Sequence, residues 1–180
     1  MIPWANGLGT TSVVARWPDD DGWVWRISLA DVVSDGPFSR LPDVDRFIAV
    51  ASGAGMDLTV GNAAPVRLTA RSMPLAFDGG VDVLCRLVDG RIVDINLMLR
   101  RGAAIGSLVV HGLSDGAQFD LADACACVVL AGSMVAGPDT LGRFDAIVDP
   151  AVGMRVTALE PTRLAIVCVT LPPSVALPGD

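Results

Sequence analysis

The sequence predicts an all-β chain folded as two jelly-roll barrels in tandem. Three observations carry that expectation. Short runs rich in Val, Ile, Leu and Trp recur along the whole length, separated by clusters of Gly, Asp and Pro. No segment keeps a helical period, the nearest being single turns at residues 2–6 or 43–47. Two stretches also echo one another half a chain apart. Ala51-Ser52-Gly53-Ala54-Gly55-Met56 resembles Leu130-Ala131-Gly132-Ser133-Met134, and Arg67-Leu68-Thr69-Ala70 matches Arg155-Val156-Thr157-Ala158. That spacing suits two barrels of like construction in one compact chain.

Taken in order, strands are expected at residues 11–17, 23–32, 46–51, 56–60, 66–69 and 73–76. Further strands follow at 83–88, 92–99, 104–110, 125–130, 154–158 and 163–170. Asp89-Gly90 between two of them is a hairpin signal. The runs around 125–131 and 164–171 are continuously apolar and have the length of buried strands. The expected division is a first half, 1–110, carrying a pocket, a second half, 111–171, and a proline-rich tail, 172–180.

Composition narrows the function. The chain of 180 residues is 52% hydrophobic, yet no apolar run approaches the roughly 18 residues that span a bilayer. Its first residues show no basic stretch followed by an apolar one, so a cytoplasmic protein without a membrane partner is expected. Net charge is −7, and all 13 cationic residues are arginines, scattered apart from Arg100-Arg101. A nucleic-acid binder would show a basic stripe. The four cysteines, Cys85, Cys125, Cys127 and Cys168, are flanked by apolar residues and lack C-x-x-C spacing. They read as small hydrophobes, with Cys125 and Cys127 on one side of a strand.

The candidate chemistry lies in the first half. Pro3-Trp4-Ala5-Asn6-Gly7-Leu8-Gly9-Thr10-Thr11 gathers glycines, an amide and hydroxyls that serve a ligand better than a core. Along 23–30, Trp23, Trp25, Ile27 and Leu29 share one face, and Val24, Arg26, Ser28 and Ala30 the other. Along 94–100, Asp94, Asn96, Met98 and Arg100 oppose Ile95, Leu97 and Leu99. These polar faces are either a solvated outer surface or the lining of a barrel mouth, and their Ser, Ala and Met content suits the lining. The segment 35–46 is either a proline-stiffened loop or one that brings Ser39 and Arg46 beside Arg26, where guanidinium forks grip a carboxylate. Phe77-Asp78-Gly79-Gly80 reads as a turn, with Asp78 as the alternative pocket residue.

Metal and nucleophile chemistry find little support. His111 is the one histidine and Glu160 the one glutamate, whereas barrel metal sites gather two or three histidines with a carboxylate. No cofactor is expected. Asp78 is a weak catalytic candidate, and Asp94 a further proton-transfer group.

The segment 3–11 resembles the opening signature of the HutD/Ves family, a group of cupin-like proteins. The resemblance continues through Trp25-Arg26-Ile27-Ser28-Leu29-Ala30, Ser34-Asp35-Gly36-Pro37-Phe38-Ser39 and Val44-Asp45-Arg46. It resumes at Pro74-Leu75-Ala76-Phe77-Asp78-Gly79 and Asp94-Ile95-Asn96-Leu97-Met98. It implies a compact tandem cupin (bicupin) without a bound metal. It also implies a role in histidine utilisation, moderating flux by binding a pathway intermediate, without an established enzymatic activity. The pocket implied is Trp4, Asn6, Thr10, Arg26, Ser28, Ser39, Arg46, Asp78 and Asn96, and the ligand a small anion of the urocanate, N-formylglutamate or formate class. Ala5 stands where the family usually has lysine. Two other readings stand beside this one: a metal-free isomerase or hydrolase of the same acids, and a homodimer paired through an outer sheet.

Overall fold

The computed structural model describes residues 2–3, 9–19 and 21–172. Among these, regular structure is strand alone. In chain order the strands are β1 (Ile2–Pro3), β2 (Gly9–Trp17), β3 (Trp25–Val32), β4 (Gly36–Phe38), β5 (Val44–Ser52) and β6 (Met56–Val60). Then come β7 (Val66–Leu68), β8 (Leu75–Asp78), β9 (Val83–Leu87), β10 (Ile92–Arg100), β11 (Ile105–Leu113) and β12 (Gln118–Asp120). The last are β13 (Ala126–Ala131), β14 (Met134–Ala136), β15 (Asp139–Leu141), β16 (Ala146–Val148), β17 (Arg155–Ala158) and β18 (Thr162–Thr170). No helix among the described residues is long and apolar enough to cross a membrane.

The strand orders show a repeat of eight. In the first half β3-β10-β5-β8 form one sheet, extended by β2 and β1, and β4-β9-β6-β7 form another. In the second half the orders are β11-β18-β13-β16 and β12-β17-β14-β15. Adding eight to each first-half number gives the second-half order, and every pairing is antiparallel. This is the jelly-roll arrangement twice over. The second set of eight begins at Ile105.

The glycine echo at 53 and 132 marks a corner used twice. Gly53 leaves β5 for β6 with φ +99, and Gly132 leaves β13 for β14 with φ +77. A Cβ at Gly53 would sit 2.8 Å from the Arg91 carbonyl oxygen, and one at Gly132 2.6 Å from that of Pro161. Both residues touch the start of the last strand of their own half. The second echo does not mark equivalent places. Arg67–Leu68 lies on the edge strand β7, whereas Arg155–Ala158 is β17, the counterpart of β9. Two β-strands with the same alternation look alike whatever their place in the sheet.

The four sheets stack in layers with three cores between them. Val32, Ile48, Met56, Leu58 and Cys85 fill the first barrel, and Leu121, Val129, Met134, Val156 and Leu164 the second. Ile27, Leu29, Ala49, Ile95 and Leu97 from the first barrel meet Leu108, Val128, Leu130 and Val167 from the second, back to back. The strands β10, β13 and β18 are therefore covered on both faces, which explains the apolar runs of β13 and β18.

Several expectations need correction. Residues 43–47 form no helical turn: Asp43 has φ +60 and leads straight into β5. The turn at Asp89-Gly90 exists, but it joins β9 of one sheet to β10 of another, so it is a barrel corner, not a hairpin. Trp23 precedes β3 and packs with Leu41, Val44 and Met98, whereas Trp25 packs on the core between the barrels. Cys127 enters the second barrel's core while Cys125, ahead of β13, packs toward the core between the barrels. Alternation fails for both pairs because one member lies outside the strand. The β4, β12, β14, β15 and β16 strands carry too few residues to show a period.

A substitution at the repeated corner tests its importance. Gly132→Ala combines a left-handed φ with a contact 2.5 Å from Thr162 Oγ1 and is expected to destabilise by about 2–3 kcal/mol. Gly90→Ala, with φ +66 and open space around it, is expected to cost about 1 kcal/mol. Urea unfolding midpoints of the two variants check the ranking.

Candidate functional site

A cavity of about 230 Å³ opens into the first barrel, and its wall is the polar face of the large sheet. Across that face Thr11 and Val13 come from β2, Arg26, Ser28 and Ala30 from β3, Asp94, Asn96 and Met98 from β10, and Arg46 from β5. Pairing sets them side by side: Asn96 lies opposite Ser28, and Met98 is flanked by Arg26 and Arg46. Phe38, Ser39 and Leu41 complete the wall from β4 and the loop after it. Of the sequence alternatives for these strands, the barrel lining is the one realised.

Arg46 is the centre of the site. Only 5% of it is exposed, and Phe38 and Phe77 stack near its guanidinium at 5.5 and 5.1 Å. Its Nη2 donates to Asn96 Oδ1 at 2.8 Å and its Nη1 to the Ser39 carbonyl at 3.4 Å. Asn96 Nδ2 in turn donates to Asp94 Oδ1. The amide thus relays the arginine's charge to a carboxylate one strand position deeper. Burial pulls Arg46 down to about 10, against Asp94, which raises it, and with Arg26, which lowers it further. Burial pushes the Asp94 carboxyl up to about 7, while Arg46 and the Asn96 hydrogen bond hold it down.

Arg26 stands at the mouth. Its Nη2 donates to Met98 Sδ at 2.9 Å, a weak acceptor, and Trp23 lies 4.9 Å from its guanidinium carbon. Burial lowers its pKa, as does Arg16 beside it. Among the described residues three buried side-chain atoms have no hydrogen-bond partner: Arg26 Nε, Arg46 Nε and Asp94 Oδ2. Such orphans cost free energy unless something arrives to satisfy them.

Five expected residues meet at this cavity: Arg26, Ser28, Ser39, Arg46 and Asn96. Thr10 does not. It faces a second groove with Ser12, Asp31 and Phe144, and its neighbour Thr11 lines the cavity. Asp78 also lies elsewhere. Phe77, opposite Arg46, turns its ring toward the guanidinium, so Asp78 takes the other face of β8. There it is exposed, accepts from Gly80 N at 2.7 Å and lies 3.2 Å from Arg101 Nη2. The Gly80 amide first, and then Arg101, lower its pKa, which unsuits it to hold a proton near neutrality. Trp4 and Asn6 fall outside the described residues.

Phe38, Phe77 and Trp23 join the site without having been singled out as pocket residues, and Asp94, expected on the lining face and as a proton-transfer group but not among the implied pocket residues, lines it too. The signal for Asp94 was available: a carboxylate and an amide two apart in an otherwise apolar strand. Among the described residues no group of three or more His, Cys, Asp or Glu gathers as a metal would need. His111 packs against Phe119 at 4.8 Å in the second half.

The raised carboxyl pKa has a consequence for stability. Its folded value of about 7 exceeds the ordinary unfolded value of about 3.9, so the folded state binds the extra proton between them. Asp94 therefore favours folding most below about pH 4, and that contribution is lost as pH rises through about 7. Asp94→Asn removes this titration. The unfolding free energy of the wild type relative to the variant is expected to fall by a few kcal/mol between pH 4 and pH 8, measured by urea titration at each pH. A flat difference contradicts the assignment.

Comparison with known proteins agrees with the fold. Protein Ves of Cronobacter sakazakii is 37% identical over 99 residues, 54% of this chain and 54% of the relative. A 21.2 kDa uncharacterised protein from the hutC 3′ region of Pseudomonas putida is 38% identical over 99 residues, 54% of this chain and 52% of that one. The match thus spans about half the length of these curated relatives. The structure of HutD from Pseudomonas fluorescens SBW25, obtained in a formate condition, is 30% identical, covering 96% of this chain and 94% of that one with a TM-score of 0.76. A cupin 2 conserved barrel domain protein from Leptotrichia buccalis, 11% identical, covers 90% of this chain and 89% of its own with a TM-score of 0.56, a likeness of fold. The HutD family model matches residues 1–165, and the chain belongs to the HutD family.

Proposed function

We propose that this is a metal-independent binding protein for a small organic anion, acting to moderate histidine or urocanate breakdown. The observation that carries the reading is the pair of arginines in the cavity, each with a buried Nε–H that has no acceptor among the described residues. Two guanidiniums against one carboxyl of near-neutral pKa leave the cavity positive. A carboxylate or formyl oxygen supplies the missing acceptor.

The cavity volume suits a metabolite of modest size, and its remaining walls, Phe38, Leu41, Ala30 and Met98, suit a short carbon skeleton. The link to histidine utilisation rests on the family and on the relative from the hutC 3′ region. Urocanate, N-formylglutamate, formiminoglutamate and formate are the acids of that pathway to try. A second reading, proton transfer by a metal-free isomerase or hydrolase, rests on Asp94 with its pKa of about 7, not on Asp78.

Isothermal titration calorimetry of the pure protein against the four acids is expected to show saturable one-to-one binding of at least one. Arg26→Ala, at the mouth and outside the Arg46–Asn96–Asp94 chain, is expected to weaken that binding at least about tenfold with unchanged thermal unfolding. Unchanged affinity removes Arg26 from the site, and silence with all four acids detaches the protein from this pathway. Turnover of a bound acid that disappears in Asp94→Asn establishes the enzyme reading instead.

A further inference from the structure

The binding reading leaves one group in the cavity unexplained. An anion site needs donors, yet Asp94 lines this one with an acceptor. Asp94 is 1% exposed, and its Oδ2 has no partner among the described residues. Its neighbours cannot rotate to help. Arg46 has only donors, so Asn96 must present Oδ1 to it, and Asn96 Nδ2 must then face Asp94 Oδ1. The amide is locked at both ends, and Oδ2 is left over.

The register of β10 against β5 shifts between Val93 and Asp94 because β5 carries an extra residue, Ala51. The β10 strand itself runs unbroken against β3, so Asp94 keeps the face of Asn96 and Met98 that lines the cavity. Around Asp94, β5 contributes Val50 and Arg46, β3 contributes Ala30, and β9 contributes Cys85, whose thiol is pushed to about 12 by burial and then by this carboxyl. The donors among them are directed elsewhere: Arg46 bonds Asn96 and the Ser39 carbonyl, and the Cys85 thiol bonds Met56 Sδ.

Resting on the binding reading above, we infer that Asp94 is a specificity-determining residue, and that the pocket selects acids carrying an N–H or O–H donor near the carboxylate. The carboxylate lies against Arg26 and Arg46, and the donor meets Asp94 Oδ2. A simple alkyl acid or formate leaves Oδ2 orphaned, and an analogue that places an acceptor there is rejected. Discrimination of this kind is strong because a buried polar group is left unpaired in the wrong complex. Protonation of Asp94 turns Oδ2 into a donor, so the preference narrows on acidification.

N-acetylglycine and its ester isostere, O-acetylglycolate, separate the alternatives, since they differ only by N–H against O. In calorimetry at pH 8 the wild type is expected to bind the amide acid at least about tenfold more tightly. In Asp94→Asn the fixed Asn96 amide still donates to Oδ1 of residue 94, so the new NH₂ takes the place of Oδ2. The preference is then expected to vanish or reverse. Should that variant fail to fold, the wild type at pH 5.5 gives the same narrowing. Equal affinity for the two acids at pH 8, or a preference unchanged both in the variant and at pH 5.5, overturns the inference and leaves anion binding intact. Binding of formate but neither larger acid also overturns it alone. Silence with all three while another pathway acid binds overturns it alone too, and silence with the pathway acids as well overturns the binding reading.

Discussion

A guanidinium buried inside a β-barrel is the constraint on which the rest of this structure depends. Taking Arg46 out of water is costly unless its charge and its donors are met, and each neighbouring element contributes to meeting them. Phe77 on β8, beside β5, and Phe38 on β4 of the other sheet stack against it, and the loop after β4 supplies the Ser39 carbonyl. The strand β10 supplies Asn96 and, through it, Asp94. The compensation is incomplete in a specific direction. Among the described residues a donor remains over on Arg26 at the mouth, another on Arg46, and an acceptor on Asp94. A purely structural ion pair would have been arranged to close on itself. This one is left open toward the cavity.

The halves share a topology but not a site. Counting from the corner glycines, Ile92 corresponds to Thr162, so Leu164 and Ile166 stand where Asp94 and Asn96 stand in the first barrel. Both belong to the apolar core of the second barrel. Filling those two positions with aliphatic side chains removes the relay and leaves a buried guanidinium nothing to pair with. The second barrel is thereby free to be a packed support, and it presents Val128, Leu130 and Val167 to the back of the sheet that carries the pocket.

Most of the strands and the alternation of the pocket wall were legible because they are local. A period of two survives in sequence wherever a strand has five or more residues with distinct faces, and β3 and β10 show it plainly. The short strands, the barrel corner at Gly90 and the departure of Trp23 from its expected face were not legible, because each is decided by a partner far along the chain. Thr10 and Asp78 illustrate the same limit at the site. Both sit in the right strands one residue from a side chain that reaches the cavity or Arg46, and in a strand one residue is the difference between faces. Residue type alone favoured Asp78 over Phe77, although the ring is the group that touches Arg46.

The second barrel also touches the strand that carries Arg46. Arg163 on β18 donates from Nη1 to the Ala51 carbonyl at 3.2 Å and from Nη2 to the Val50 carbonyl at 3.1 Å. Val50 lies directly opposite Asp94, where the register of β5 against β10 shifts. The extra residue of β5, Ala51, is thus tied from behind by a guanidinium belonging to the other half. A bulged strand pair is ordinarily a soft point in a sheet, with ladder bonds missing. Here the missing order is supplied across the interface between the barrels. This explains why a polar site of modest volume needs a partner barrel that holds no comparable polar relay. The Asp94–Asn96–Arg46 chain depends on the offset of strands β5 and β10, and Arg163 of β18 adds two hydrogen bonds to β5 at the point where that offset changes.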